Sequence, residues 1–170
     1  MLDIRREKRS DILDVREVNE CAFKGSVEAR LVELLRDGNK VVVSLVATLD
    51  DKVVGHIMFS PITIESNPKN ARGLGLAPLA VLPKYQGRGI GKSLVARGLE
   101  ECREEEYDII AVLGDEPYYS RFGFKRASIF GLRNEYDVGE NFMVLELKAD
   151  ALKFASGLVK YQPEFKQAGA

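Results

Sequence analysis

The chain has 170 residues, of which 45% are hydrophobic and 30% charged, with a formal net charge of −1 at pH 7. That length suits one folded core, that hydrophobic share excludes a disordered chain, and the balance of acids and bases excludes a broad electrostatic pull toward nucleic acid. The two cysteines, Cys21 and Cys102, offer neither a disulfide framework nor a zinc-ligand spacing; with a charged N-terminus and no apolar run near the ~20 residues of a membrane span, they fit a reducing cytoplasm and no membrane partner.

In chain order, residues 2–6 read as a first strand. Ser10 stands as a helix N-cap, followed by Ile12, Val15, Asn19 and Ala22 at helical spacing. A second helix is expected over residues 26–37, with Val27, Leu31 and Leu34 on one face and Gly38 as its stop. Residues 41–49 are rich in β-branched side chains and predict a strand. Asp50, Asp51 and Lys52 form a turn into a hairpin partner over residues 53–65, and residues 67–70 are loop chemistry. A strand over residues 74–81 leads to a glycine-rich turn and a helix reaching about Glu106. In that helix Ile90, Leu94, Gly98 and Cys102 repeat every four residues, while the acids near its end form a solvated face. Residues 107–113 make another strand, 117–122 a short helix begun by proline, and 124–127 and 142–148 the last strands. Residues 129–141 between them read as a polar loop bordering a substrate site. Residues 149–157 predict a terminal helix, with a loosely held tail after Lys160. The order predicts a mixed α/β (α+β) fold with a single, mostly antiparallel sheet flanked by helices.

The run Gln86-Gly87-Arg88-Gly89-Ile90-Gly91-Lys92-Ser93 carries the most chemistry. Its glycines alternate where a helix begins, leaving the backbone bare beside unpaired N–H groups and the positive end of the helix dipole. That combination suits a phosphate or pyrophosphate. A P-loop needs glycine where Gln86 stands. A dinucleotide fingerprint needs a third glycine where Lys92 or Leu94 stands, and it follows a first strand, not two helices and a hairpin. The remaining pattern, Gln/Arg-x-x-Gly-x-Gly/Ala, is met by Gln86, Gly89 and Gly91.

At these residues the chain resembles the GNAT superfamily of acetyl-CoA-dependent N-acetyltransferases. Leu79-Ala80-Val81-Leu82-Pro83-Lys84-Tyr85-Gln86 is similar to the strand and lead-in before the family's cofactor turn. Tyr119-Ser120-Arg121-Phe122-Gly123-Phe124 resembles its Tyr-x-x-x-Gly-Phe signature. The resemblance implies a GNAT fold in a single domain over residues 1–170, with a core of about 2–148 and a less typical extension over 149–170.

By that resemblance, Gly87, Arg88, Gly89, Ile90, Gly91 and Lys92 cradle the pyrophosphate of coenzyme A, with Gln86 shaping the turn. The backbone of Leu79, Ala80 and Val81 pairs with the pantetheine arm as an added strand. Tyr119 acts as general acid toward the departing thiolate, with Tyr118 as packing or a backup donor. Arg88 and Arg121 are candidates for the ribose phosphate. The donor implied is acetyl-CoA, without a metal, and the acceptor a primary amine on a small molecule or peptide; a homodimer is compatible. The general base stays open among Asp115, Glu116, Glu28, His56 and water, because residues 109–113 are apolar where several members carry a Glu. That gap leaves a second reading, a non-catalytic acyl-CoA-binding or regulatory domain.

Overall fold

The computed structural model describes residues 1–136 and 141–170. They divide into two compact units: residues 1–60, 77–101 and 163–170 form the first, and residues 61–76 and 102–162 the second. Two strands, β3 (Lys52–Ser66) and β4 (Gly73–Val81), contribute to both.

In the first unit, β1 (Leu2–Arg6) pairs antiparallel with β2 (Val43–Leu49), and β2 with β3, with β4 next in order. The β2–β3 turn works because Asp50 and Asp51 take φ of 48° and 68°, the positive angles of a tight hairpin. Nearly every residue of β2 is buried, since helices α1 (Ile12–Phe23), α2 (Val27–Asp37) and α3 (Ile90–Glu104) flank this sheet. The α3 stripe is as the spacing predicts: Ile90, Leu94, Val95 and Leu99 are core residues. Gly98 brings α3 close, because a Cβ there would stand 2.6 Å from the Phe59 ring.

In the second unit, β4 runs parallel to β5 (Ile109–Leu113), and β8 (Phe142–Glu146) pairs antiparallel with β5 and with the short β6 (Lys125–Arg126). The β4–β5 ladder covers Gly73–Gly75 against Ile109–Ala111, whereas β5 stays in register with β8 through Leu113. The sheet is mixed and mostly antiparallel, as the element order predicts.

Four local expectations are corrected. Ser10 does not cap α1; the segment Arg9–Asp11 is a 3-10 turn in which Asp11 accepts from the Lys8 amide at 2.6 Å and from Arg5 at 2.7 and 3.0 Å. The polar stretch after Ile129 contains a strand, β7 (Leu132–Asn134), paired parallel to β9 (Ser156–Lys160); its residues 137–140 lie outside the described residues. Residues 149–154 are turns, in which Asp150 and Phe154 take φ of 62° and 68°, and the strand β9 begins at Ser156. The tail is packed: Tyr161, Phe165 and Ala168 are buried, and helix α5 (Glu164–Ala168) lies against α2.

Candidate active site

In the first unit, β4 ends at Val81 and a 3-10 turn over Pro83–Tyr85 follows. The Leu82 N–H donates to the Val54 carbonyl at 2.9 Å, so Leu82, and by alternation Ala80, turn their backbone toward β3. Gly55 agrees, since a Cβ there would meet the Ala80 oxygen at 3.3 Å. Leu79 and Val81 therefore direct their N–H and C=O away from β3, along the outer edge of this unit's strands. Of the expected pairing residues, Ala80 is turned inward and two remain. The Gln86 side chain donates from Nε2 to the Val81 carbonyl at 2.9 Å, folding the turn back on its strand.

Gly87 and Gly89 take φ of 76° and 82°, angles that strain any residue with a Cβ. A Cβ at either would have nothing within 4 Å, so the glycines answer to backbone angle and leave the surface above the turn open. The Ser93 N–H donates to the Gly89 carbonyl at 3.0 Å, which makes Gly89 the helix cap. The amides of Ile90, Gly91 and Lys92 then have no carbonyl one turn back and point outward at the positive end of α3. Lys92 and Arg88 are exposed. The Arg88 guanidinium lies 5.2 Å from the Tyr85 ring centre, and the Lys52 ammonium 5.8 Å from the same ring. Lys52 escaped the sequence reading because only the β2–β3 hairpin carries it to the turn. The result is a cradle of amides, dipole and cations suited to a multiply charged anion.

In the second unit, helix α4 (Glu116–Ser120) presents Tyr119, only 8% exposed. Its ring packs edge-on against Tyr118 at 4.9 Å and Phe124 at 5.5 Å. Gly114 makes room for it, because a Cβ there would overlap the Tyr119 ring. Burial, and then the neighbouring Tyr118, raise the Tyr119 phenol well above its ordinary value, so it keeps its proton at any physiological pH. Tyr118 is half-buried, and its phenol is also raised by burial. The Arg121 guanidinium stacks 4.6 Å from the Tyr118 ring and bonds the Tyr118 carbonyl at 3.2 Å, so its charge is committed locally.

The candidate bases sort by environment. His56 is fully buried: Asn19 Nδ2 donates to Nδ1 at 3.1 Å, and Nε2–H donates to Ser44 Oγ at 3.0 Å. Asn19 is oriented by its second donor bond, to the Val15 carbonyl at 3.0 Å. Ser44 passes its proton bond to Glu7 at 2.6 Å, and Glu7 pairs with Arg36. Burial and the Arg36 charge lower His56 to about 3, so it stays neutral and structural. Glu116 is held by Arg126 at 2.7 Å. Glu28 is half-buried in the first turn of α2. Asp115 is exposed and lines, with Leu113, Gly114 and Asn141, an open hollow of about 390 Å³ in the second unit.

The model of an "Acetyltransferase (GNAT) domain" matches residues 3–127. The chain is 38% identical over 148 residues to the N-acetyltransferase YhbS of Escherichia coli K12, covering 86% of this chain and 87% of that one. It is 42% identical over 119 residues to YjhQ of the same strain, covering 69% and 66%. Among solved structures, the crystal structure of E. coli YhbS in complex with CoA superposes with a TM-score of 0.91 at 36% identity, over 97% of this chain and 92% of that one. A GNAT acetyltransferase of Brucella melitensis in complex with acetyl-CoA gives 0.79 at 35% identity, over 97% and 98%.

Proposed function

Because the chain belongs to the GNAT acetyltransferase family, we propose that it moves the acetyl group of acetyl-CoA to a primary amine by direct attack. The observation that carries this reading is the cradle at residues 86–92, continuous with the outward backbone of Leu79 and Val81. The residues fit such a donor. The amides of Ile90, Gly91 and Lys92 meet the pyrophosphate, with Lys92, Arg88 and Lys52 adding charge. The Leu79 and Val81 edge pairs with the amides of the pantetheine arm. The complexes of the E. coli and Brucella relatives, one with CoA and one with acetyl-CoA, support the same donor.

Acetyl-CoA supplies an activated acyl carbon: the amine nitrogen forms the C–N bond as the C–S bond breaks, and an ammonium plus a thioester become an amide, a thiol and one proton. Tyr119 is the proton donor for the leaving sulfur. Burial raises its phenol, so it arrives protonated and able to donate. The whole chain acts as one acetyltransferase domain. Its two cysteines, Cys21 and Cys102, are not joined in a disulfide, which suits work in the cytoplasm.

Acetyl-CoA at a hundredfold excess over its Kd adds about 2.7 kcal/mol of stability, or roughly 5–10 °C of melting temperature for a chain of this size. ATP and NAD add much less. Equal stabilisation by ATP would overturn the donor assignment. The second reading, an acyl-CoA-binding domain without catalysis, draws support from the candidate bases: Glu116 is paired and His56 is buried and neutral. It requires acetyl-CoA binding with no thiol release in any amine screen.

A further inference from the structure

The first strand of the first unit has one open edge. Among the described residues, β1 pairs with β2 alone. In that ladder Asp3 stands opposite Thr48 and Arg5 opposite Val46, and the next residue of the same phase, Glu7, donates its N–H to the Ser44 carbonyl at 3.0 Å. Hydrogen-bonded pairs alternate along an antiparallel ladder, so Asp3 and Arg5 spend their backbone groups on β2. Leu2, Ile4 and Arg6 therefore direct their N–H and C=O groups outward. The Arg6 carbonyl accepts Arg5 Nη1 at 3.0 Å, and its second lone pair leaves room for another donor.

Proteins blunt such edges with proline, bulges or lysine. The sequence of β1, Leu-Asp-Ile-Arg-Arg, has neither proline nor lysine, and its register against β2 is unbroken. Its charges are of both signs, and their order decides what the edge accepts. Side chains alternate between faces, so Asp3 and Arg5 share one face and Leu2, Ile4 and Arg6 the other. Asp3 is exposed and Arg5, held by Asp11 at 2.7 Å, is half-buried. On the opposite face Leu2 is 36% exposed, Ile4 is half-buried, and Arg6 reaches Glu101 at 2.7 Å.

A twofold axis sets two copies of one strand antiparallel, each offering the same groups to the other. Three registers pair more than one outward residue, centred on Asp3, on Ile4 or on Arg5. The first sets Asp3 against Asp3 and the last sets Arg5 against Arg5, and like charges directly opposite destabilise a pair. Centring on Ile4 puts Asp3 of each copy across from Arg5 of the other. It also places all three outward residues in hydrogen-bonded pairs, Ile4 with Ile4 and Leu2 with Arg6. Leu2 and Ile4 of both copies then form one continuous apolar strip. We propose that β1 joins β1 of a second copy of this chain in this register, forming a twofold dimer. With five residues from each copy the contact belongs among small interfaces, so dimerisation depends on concentration.

Sedimentation velocity of the full chain over about 1–200 µM tests this, with a rise from monomer toward dimer expected. Asp3→Arg sets like charges opposite each other at both ends of the pairing and should weaken association by about tenfold or more. Ile4→Pro removes the central outward N–H of each copy, leaves the bonds to β2 in place, and should abolish the dimer. Glu17→Arg makes the same charge change at an exposed position of α1 and should keep the association constant within twofold of wild type. Melting temperatures of the dilute monomers, equal to wild type, certify the folds; should Ile4→Pro fail that check, Asp3→Arg decides alone. A wild type that stays monomeric throughout overturns the proposal. So does association that a folded β1 variant leaves unchanged, or that Glu17→Arg weakens as much as Asp3→Arg does.

Discussion

At the turn over residues 86–92 the working groups are backbone amides and exposed cations, and the space above Gly87 and Gly89 is empty. Around Tyr119 the working group is one phenol, and its surroundings are rings and a glycine that yields its volume. An open cradle tolerates side-chain change and fails when its backbone is bent. A packed phenol tolerates backbone neighbours of the right size and fails when one oxygen is removed. On the proposed reading, the contrast separates donor binding, carried by conformation, from proton transfer, carried by a single atom.

The largest effect should come from that atom. Tyr119→Phe keeps the ring contacts and removes only the hydroxyl. Turnover is expected to fall by about 10²–10⁴-fold, with the acetyl-CoA Kd within twofold of wild type by calorimetry. A large loss of acetyl-CoA binding would break the division between the two regions. Tyr118→Phe serves as control, since Tyr118 is half-buried and stacked under Arg121.

His56 sharpens the contrast, because it places a packed polar site in the same unit as the open turn. An unfolded histidine titrates near 6.5, whereas burial and Arg36 hold the folded one at about 3. Between those values the unfolded chain binds a proton that the folded chain refuses. Stability is therefore full above pH 6.5 and falls as pH drops below it, by roughly 1.4 kcal/mol per unit. By pH 4 the loss from this one group is about 3 kcal/mol. Urea unfolding of wild type at pH 7, 6 and 5 should show that slope, and His56→Gln should flatten it. A slope unchanged in the variant would mean that other groups carry the acid sensitivity.

The turn was legible in sequence because its chemistry is written in alternating glycines, two of which, Gly87 and Gly89, take a positive φ that no other residue supplies cheaply. The strand and the flanking helix were legible for a similar reason, since short spacings encode them, whereas Tyr119 stood out only through the family signature Tyr-x-x-x-Gly-Phe. The groups that escaped are joined through tertiary structure alone. Lys52 reaches Tyr85 through a hairpin, and Glu135 reaches Tyr161 through β7 and β9, two strands hidden in stretches read as loop and helix. Residues 149–157 carry helix-compatible composition, but Asp150 and Phe154 adopt left-handed angles that local propensity does not foresee. The buried tail was missed because a short helix gains its place from α2 rather than from its own sequence. His56 stands out in sequence as the one histidine, a base near neutral pH, and only its partners Asn19 and Ser44 reveal a structural role.

The smallest effect separates the uses of glycine. Gly98 and Gly89 sit near each other in sequence and serve opposite needs. A methyl at Gly98 would press on the buried Phe59 ring, 2.6 Å away, so Gly98→Ala should destabilise by about 1–3 kcal/mol, offset in part by the better helix propensity of Ala. Its acetyl-CoA Kd should stay put, because the cradle does not move. A methyl at Gly89 meets nothing, so Gly89→Ala carries only the strain of a φ of 82°, about 1 kcal/mol. Relief of that strain, however, rotates the peptide that leads into the Ile90 amide. The variant should lose about tenfold in acetyl-CoA affinity, equivalent to about 1.4 kcal/mol, with a melting temperature only slightly below wild type. Were Gly98→Ala to weaken acetyl-CoA as much as Gly89→Ala, the cradle would depend on how α3 packs and not on the angles of its own turn.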